Sequence, residues 1–491
     1  MRELIEHAKI VTMDRNKTIH DSGYLLMDGQ LIVAVGEGEY PGDRTGLEVT
    51  DAKGRIIVPG LINAHTHSYS NMVKGTSENV PLELWMLYAM TEGRHMSSED
   101  HALSATLGSI EMLKSGTTTF LDHLAQDEAG LTLVANAYKK VGVRTLLTPM
   151  FGDRAYGDTL PEKGVTTVGA KPHSPNSKAT ADWREIIAMV ESVIRNVKDE
   201  KNGIGIGVGP SGPQRSTDEL LINAMALAEK YDLPFHTHLL ETKGQEATAD
   251  RLYGQSMVAY LDQIGILNER ISFAHGIWIS EADMHLIAKA GSSIVHNPPC
   301  NLALGSGILS VIPLKEAGVT LALGTDGSNA SGYQSMYESM KLAAFLSKTT
   351  TPDYMRWLTA DDALEMATWG SAKAVGMTDE IGAIEAGKKA DFAILNHRNT
   401  NFVPLNNLIW QLVYGRADLT IDDVYVSGKK VVHNGEVVNE GEELIYQEAT
   451  ERGVHLMKKL QDDYRKIKAE HPAFYAMLMR VADKPTNRLT L

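Results

Sequence analysis

Two His-x-His pairs stand out in this chain, His65-Thr66-His67 and His236-Thr237-His238. Residues two apart on a strand share a face and lie about 6.6–6.8 Å apart along it. Two imidazoles so placed can converge on one ion at metal–nitrogen bonds of about 2.0–2.1 Å. The spacing alone is weak evidence. With 17 histidines in 491 residues, about 0.6 such pairs arise by chance, the hazard of any short motif. What gives the pairs weight is where they sit in the rhythm of the chain.

From residue 56 to 327 the sequence alternates apolar, β-rich segments with helix-like ones. Eight β-rich segments can be counted, at 56–67, 117–123, 144–151, 203–210, 233–241, 271–278, 292–299 and 320–327. The stretch TDELLINAMALAEKYD is typical of the helices, with Thr217 as N-cap and Leu220, Leu221, Ala224 and Leu227 as its apolar stripe. Eight such units predict a (β/α)8 barrel. A doubly wound open sheet is the runner-up, but it gives no reason for eight. On the barrel reading His65, His67, His236, His238, His275 and Asp326 all fall at the C-terminal ends of strands 1, 5, 6 and 8. Those ends form one rim around the mouth, where this fold places its chemistry. His123 is a competitor at the same rim, with a packed role favoured.

Short strands and turn signals fill both ends of the chain, with Asp28-Gly29 near the start and Ser427-Gly428 and Asn434-Gly435 near the finish. They predict one small β-sandwich domain made from both ends. The expected organisation is 1–58 and 379–440 for that domain, 59–378 for the barrel and 441–491 for a charged helical tail. The tail reads as a solvated or oligomer-contact helix, and a homo-oligomer is expected. Residues 152–182 interrupt the barrel rhythm with a long polar segment, which reads as a lid.

Composition bounds the function. The formal charge of −15 argues against a nucleic-acid or anionic-membrane partner. The single cysteine, Cys300, excludes a disulfide framework and thiolate zinc clusters, and reads as a small packed residue. No stretch reaches the roughly 18 apolar residues of a membrane span, and the N-terminus lacks a signal-peptide run, so a cytoplasmic protein is expected.

The segments PGLINAHTH, HTHLLET, FAHG, HNPPCNLAL and GTDG resemble the ordered motifs of the amidohydrolase superfamily, in particular its branch of cytosine, guanine and S-adenosylhomocysteine deaminases and s-triazine hydrolases. The resemblance runs from about residue 1 to 440. It implies that His65, His67, His238 and Asp326 hold one divalent ion, zinc first and ferrous iron second, and leaves His236 as a supporting group. It further implies that Glu241, in HLLE, is the acid/base, and that His275 hydrogen-bonds the metal-bound water. Dinuclear relatives need a bridging carboxylated lysine or carboxylate on strand 3 or 4, and neither RTLLTPMF nor GIGIGVGPSGP offers one.

The implied reaction is hydrolytic deamination of a small N-heterocycle (a purine, pyrimidine, pterin or triazine) by a metal-bound hydroxide, with Glu241, His275 and Asp326 catalytic. Dechlorination, N-dealkylation or cyclic-amide hydrolysis at the same site is the alternative. A non-catalytic scaffold is disfavoured, since all four ligand positions and Glu241 are present. Trp85 matches a family tryptophan near the pocket, and Asn329 and Ser331 are placed to face the ligand. Gln214 and Arg215 read as substrate contacts or as a turn before the helix that Thr217 caps, with the turn favoured. Ser211 stands where many nucleoside-type deaminases carry a ligand-contacting histidine, which counts against an S-adenosylhomocysteine or methylthioadenosine substrate.

Overall fold

The computed structural model describes residues 2–166, 182–439 and 441–489. Among these, eight parallel strands make the barrel: Leu61–Thr66, Thr117–Leu124, Arg144–Phe151, the broken pair Ile204–Ile206 and Gly209–Pro210, Phe235–Leu239, Ile271–His275, Ser293–His296 and Thr320–Leu323. Their residues are almost all buried, which is why they read as near-continuous apolar runs rather than alternating ones. The strands form two four-membered arcs that meet at two seams. At one, the amide of Val208 donates to Pro234 O and that of His236 to Val208 O, each at 2.9 Å. At the other, the Asp326 amide donates to His65 O at 2.9 Å. That second seam ties the first strand's metal-type residue to the eighth strand's.

Thr217 caps its helix as expected, its hydroxyl accepting from the Leu220 amide at 3.3 Å. Ser280 and Asp283 form a reciprocal capping box at the start of Glu281–Ala290. That helix ends at Gly291, where φ is +74°, a left-handed stop that glycine adopts without strain.

Both chain ends join in one hydrogen-bonded sheet of nine strands among the described residues. The joint is Phe392–Leu395 running antiparallel to Ile56–Pro59. Its own apolar cluster includes Ile5, Leu25, Ile57, Phe392 and Tyr425, with the rings of Phe392 and Tyr425 stacked at 4.5 Å. Ser427-Gly428 and Asn434-Gly435 both have positive φ at the two central positions, as the tight hairpin turns require. The expected first barrel strand at 56–67 is therefore two strands. The chain leaves the end-sheet at Pro59 and enters the barrel at Leu61. A side chain at the intervening Gly60 would lie 2.1 Å from Thr118 Oγ1.

The helical tail is one long helix, Glu442–Ala482. It is solvated on one side only, because Leu456, Leu460, Ile467, Phe474, Met477 and Val481 are buried. Tyr464 and His471 reach helix Leu82–His95, through Glu92 at 2.6 Å and Tyr88 at 3.0 Å. Beyond the helix the chain crosses the rim, where the Leu489 amide donates to Ile279 O at 2.7 Å. Of the expected lid, Tyr156 and Leu160 pack into a cluster with Leu84, Tyr88 and Phe474, and 167–181 lie outside the described residues. Among the described residues no helix is long and apolar enough to cross a membrane.

Candidate metal centre and active site

The strand ends bring His65, His67, His238, His275 and Asp326 together in the barrel mouth. Nε2 of His67 lies 3.2 Å from Nε2 of His238, and Asp326 Oδ1 lies 3.3 Å from His67 Nε2 and 3.5 Å from His65 Nε2. Two ligands of one tetrahedral ion, each about 2.1 Å from it, sit about 3.4 Å apart. The observed spacings match that figure.

The far side of each ring fixes which nitrogen is free. His67 Nδ1 donates to the main-chain O of His123, and His238 Nδ1 to that of Ser211, both at 2.6 Å. Their Nε2 lone pairs therefore face each other with no proton between them. That contact is repulsive unless a cation or a proton enters it. His65 Nδ1 pairs with His236 Nε2 at 2.8 Å, and His236 Nδ1 with Ser272 Oγ at 2.8 Å, leaving His65 Nε2 buried and without a partner. Imidazoles oriented through their second nitrogen in this way are typical of metal sites. The donor set of three neutral nitrogens and one carboxylate fits a divalent ion such as zinc.

His236 has both ring nitrogens engaged, by His65 and Ser272. Among the described residues three groups of ligand atoms converge, His65–His67–Asp326, His65–His238–His275 and His65–His123–His236. The last of these lacks a carboxylate; its His123 donates Nε2–H to Gly209 O at 2.9 Å and keeps Nδ1 buried without a partner.

Burial favours the neutral form of His65, His238 and His275, while Asp326 is held towards its ionised form. Burial lowers the pKa of His65 to about 4, although the Asp326 charge opposes this. Burial pushes Asp326 up, but the facing His65, His67 and His275 outweigh it and hold that carboxyl well below its usual range. Glu241 goes the other way. Burial first, then the Asp326 charge, raises it well above the usual carboxyl range, against a hydrogen bond from Ser306 Oγ at 3.1 Å. Two carboxyl groups in one pocket are thus pushed in opposite directions, Asp326 down and Glu241 up. His275 stands between them, with Nε2 3.5 Å from Glu241 Oε2 and 3.6 Å from Asp326 Oδ2. Its Nδ1 donates to Asn301 Oδ1 at 2.9 Å, so Nε2 is an unpartnered acceptor aimed at the site.

The backbone is strained at the same places. His275 and Asp326 have φ of +76° and +63°, left-handed values that cost an ordinary residue about 1–3 kcal/mol. Asp326 is held there by its neighbours. The Gly327 amide donates to Oδ1 at 2.7 Å, and Thr66 Oγ1 and Gln334 Nε2 donate to its main-chain O at 3.1 and 3.2 Å.

A family model described as "Amidohydrolase family" matches residues 56–431, well over half the chain. This chain belongs to the amidohydrolase family. A 5-methylthioadenosine/S-adenosylhomocysteine deaminase of Desulforamulus reducens is 31% identical over 467 residues, covering 93% of this chain and 100% of the relative. Among solved structures, an adenosine deaminase from Xanthomonas campestris with bound zinc has a TM-score of 0.83 at 28% identity, covering 93% of this chain and 98% of that one. Atrazine chlorohydrolase from Arthrobacter aurescens, complexed with zinc, has a TM-score of 0.82 at 25% identity, covering 91% and 99%.

The remaining candidates differ in how far their polar atoms are engaged. Trp85 is buried against Leu82, Ala89, Cys300 and Leu304, with its Nε1 unpartnered. Gln214 is buried with Oε1 unpartnered, on the short turn Pro213–Arg215. Asn329 gives Nδ2 to Glu92 at 3.3 Å and leaves Oδ1 buried and open. Ser331 turns its hydroxyl back to Gly327 O at 3.0 Å. The structure adds supports that the sequence reading passed over: Asn301 behind His275, Ser306 on Glu241, and Gln245, whose Oε1 accepts from the Glu241 amide at 2.8 Å. Asp122 is another, accepting from the amide and hydroxyl of Ser68 at 2.9 and 2.7 Å and so fixing the turn beyond His67. Asn301 lies inside the motif HNPPCN and could have been flagged there. The carbonyls of His123 and Ser211 leave no trace in residue types.

Proposed function

We propose that this amidohydrolase is a hydrolytic deaminase of a small N-heterocycle, holding one divalent ion, zinc first and ferrous iron second, through Nε2 of His65, His67 and His238 and a carboxylate oxygen of Asp326. The observation that carries the reading is the convergence of the His65, His67 and His238 Nε2 atoms and Asp326 in the mouth, with the buried Glu241 placing Oε2 3.5 Å from His275 Nε2. When bound, the ion makes a water nucleophilic at neutral pH. Glu241 donates its proton to the ring nitrogen beside the reacting carbon, which makes that carbon more electrophilic. His275 accepts a hydrogen bond at Nε2 and orients the attacking water. Asp326 Oδ2, facing His275, takes the proton that the water sheds and passes it to the departing amine. The deaminase names of the relatives support the same chemistry. Ser211 in place of a ligand-contacting histidine supports a substrate other than a thioether nucleoside.

The chlorohydrolase among the structural neighbours favours one other outcome, loss of halide at the same carbon. A panel of amino- and chloro-substituted purines, pyrimidines, pterins and triazines, assayed for ammonia and chloride, separates the two. Ammonia release that falls about 10²–10⁴-fold in Glu241→Gln, with zinc retained, is the expected result. Near-native turnover by that variant, or chloride as the sole product, contradicts the proposal.

A further inference from the structure

The segment that follows the long helix crosses the rim as a strap. Lys243 Nζ donates to the main-chain O of Ala482 and of Lys484, at 2.7 and 2.6 Å. Glu246 accepts from Thr486 Oγ1 at 2.8 Å and from the Asn487 amide at 3.2 Å. Leu489 closes the crossing, with its amide on Ile279 O and its carbonyl on the Ser310 hydroxyl at 3.1 Å. The partners of the strap follow the fifth, sixth and seventh strands. The same three segments carry Glu241, His275 and Ser306.

Arg488 is the residue of the strap that reaches towards the acid. It is partly buried. Its Nε donates to Ile277 O at 3.0 Å and one terminal nitrogen donates to Ile308 O, so one planar group ties two rim loops together. Its guanidinium carbon lies 4.7 Å over the ring centre of Trp278. Trp278 is itself anchored on both sides of Glu241. Its amide donates to the O of Leu240 at 2.9 Å, and its Nε1 donates to Ser306 O at 2.8 Å. Ser306 Oγ then donates to Glu241 Oε1 at 3.1 Å. The loop between Ser306 and Ile308 is shaped to lie under the strap. Gly307 has φ of +126°, and a Cβ there would sit 3.0 Å from Ile277 Cγ2 and 3.5 Å from an Arg488 nitrogen.

The exposed contacts of the strap stabilise it little by themselves. A guanidinium that forks between two carbonyls above a ring is different, because a lysine cannot reproduce it. Without it the 301–310 loop is free to open locally, and Ser306 leaves Glu241 Oε1. Misplacing a catalytic group by about 1 Å can cost about 100-fold in rate.

We propose that Arg488, which lies beyond the residues matched by the family model, is a positioning residue for Glu241, acting through Trp278 and Ser306. The proposal rests on the reading of Glu241 as the acid. The test uses zinc-loaded full-length protein, with adenine, guanine, cytosine, pterin and melamine as probes for ammonia release. Hydrogen–deuterium exchange is followed in peptides spanning 301–310 and 239–246.

For the fastest probe, Arg488→Met should lower kcat by about 10- to 100-fold with KM within about threefold, and zinc content should not change. The two peptides should exchange faster than in the wild type, and Arg488→Lys should recover part of both effects. Ser306→Ala should lower kcat too, and adding Arg488→Met to it should cost less than about twofold more, since the two act along one path. An unchanged kcat, or effects that multiply in full, overturns the proposal. A joint loss of kcat, substrate affinity and zinc assigns Arg488 a structural role and also overturns it. If Arg488→Met does not fold, Trp278→Phe decides, since it removes the donor to Ser306 O and keeps a ring. A lowered kcat there, not compounded by Ser306→Ala, supports the path, and an unchanged one overturns it. No ammonia from any probe sinks the deaminase reading. Exchange then decides the strap alone, with faster exchange in Arg488→Met supporting it and unchanged exchange overturning it.

Discussion

The two walls of the barrel mouth are built on opposite plans. On the wall of His65, His67, His238 and Asp326 each imidazole is braced from behind, and the main chain at Asp326 is held in a left-handed conformation by several hydrogen bonds. Around Trp85, Gln214 and Asn329 the side chains are buried, and Trp85 Nε1, Gln214 Oε1 and Asn329 Oδ1 have no hydrogen-bond partner in the protein. The first arrangement suits a partner of one shape and charge, an ion. The second suits an organic ligand that supplies several acceptors and donors at once. An unmet buried polar atom costs about 1–3 kcal/mol, so the open wall has a reason to exist only if something fills it.

Breaking the braced wall should have the largest effects. Asp326→Asn removes the one anionic donor, and zinc content should fall to a small fraction of the wild-type value, with ammonia release down by about 10³-fold or more. Inductively coupled plasma mass spectrometry on the dialysed variant checks it, and full zinc occupancy would remove Asp326 from the centre. Next comes the support behind the wall. His236→Phe takes away the partner of His65 Nδ1 while keeping the core filled, and zinc affinity should weaken by about 10- to 100-fold. An unchanged affinity would mean that His65 needs no orientation.

A smaller effect follows from pH. Burial lowers His65 and His101 to about 4 and His296 to about 3. These folded values lie below the unfolded value of about 6.5, so the unfolded chain takes up protons first as pH falls. The stability these groups allow is complete above about pH 6.5 and is lost progressively towards pH 4. The zinc-free protein should therefore melt at steadily lower temperature from pH 6.5 to 4.5. A flat profile would contradict the buried-neutral assignment.

The smallest change concerns the open wall. Tyr464, on the C-terminal helix, donates to Glu92, which in turn accepts from Asn329 beside the site. Tyr464→Phe should cost about 1 kcal/mol of stability and leave zinc affinity untouched. A loss of zinc would show that the two walls are not independent.

Much of this was legible in the chain itself. Eight apolar segments, several with a histidine or an aspartate near the end, announced the barrel and the rim, because parallel strands buried on both faces write their burial into residue type. The end-sheet announced itself through its turn residues. What stayed hidden was carried by contacts between distant residues or by the backbone. The strand at 56–67 gave no sign of its break, since Ile56–Pro59 and Leu61–Thr66 are equally apolar. The contacts that turn His236 to Ser272 and His238 to Ser211 left no trace in residue types. Arg215 was read as part of a turn, and it is part of one. Its guanidinium also lies over the ring of Tyr156, a contact between distant residues.

The central claim is that one ion sits on the braced wall, and anomalous diffraction at the zinc edge from crystals of the zinc-loaded protein tests it most directly. The account predicts a single peak per chain within about 2.0–2.2 Å of His65 Nε2, His67 Nε2, His238 Nε2 and an oxygen of Asp326. A peak bonded to His123 or His236, a second ion in the mouth, or no peak at all would contradict it.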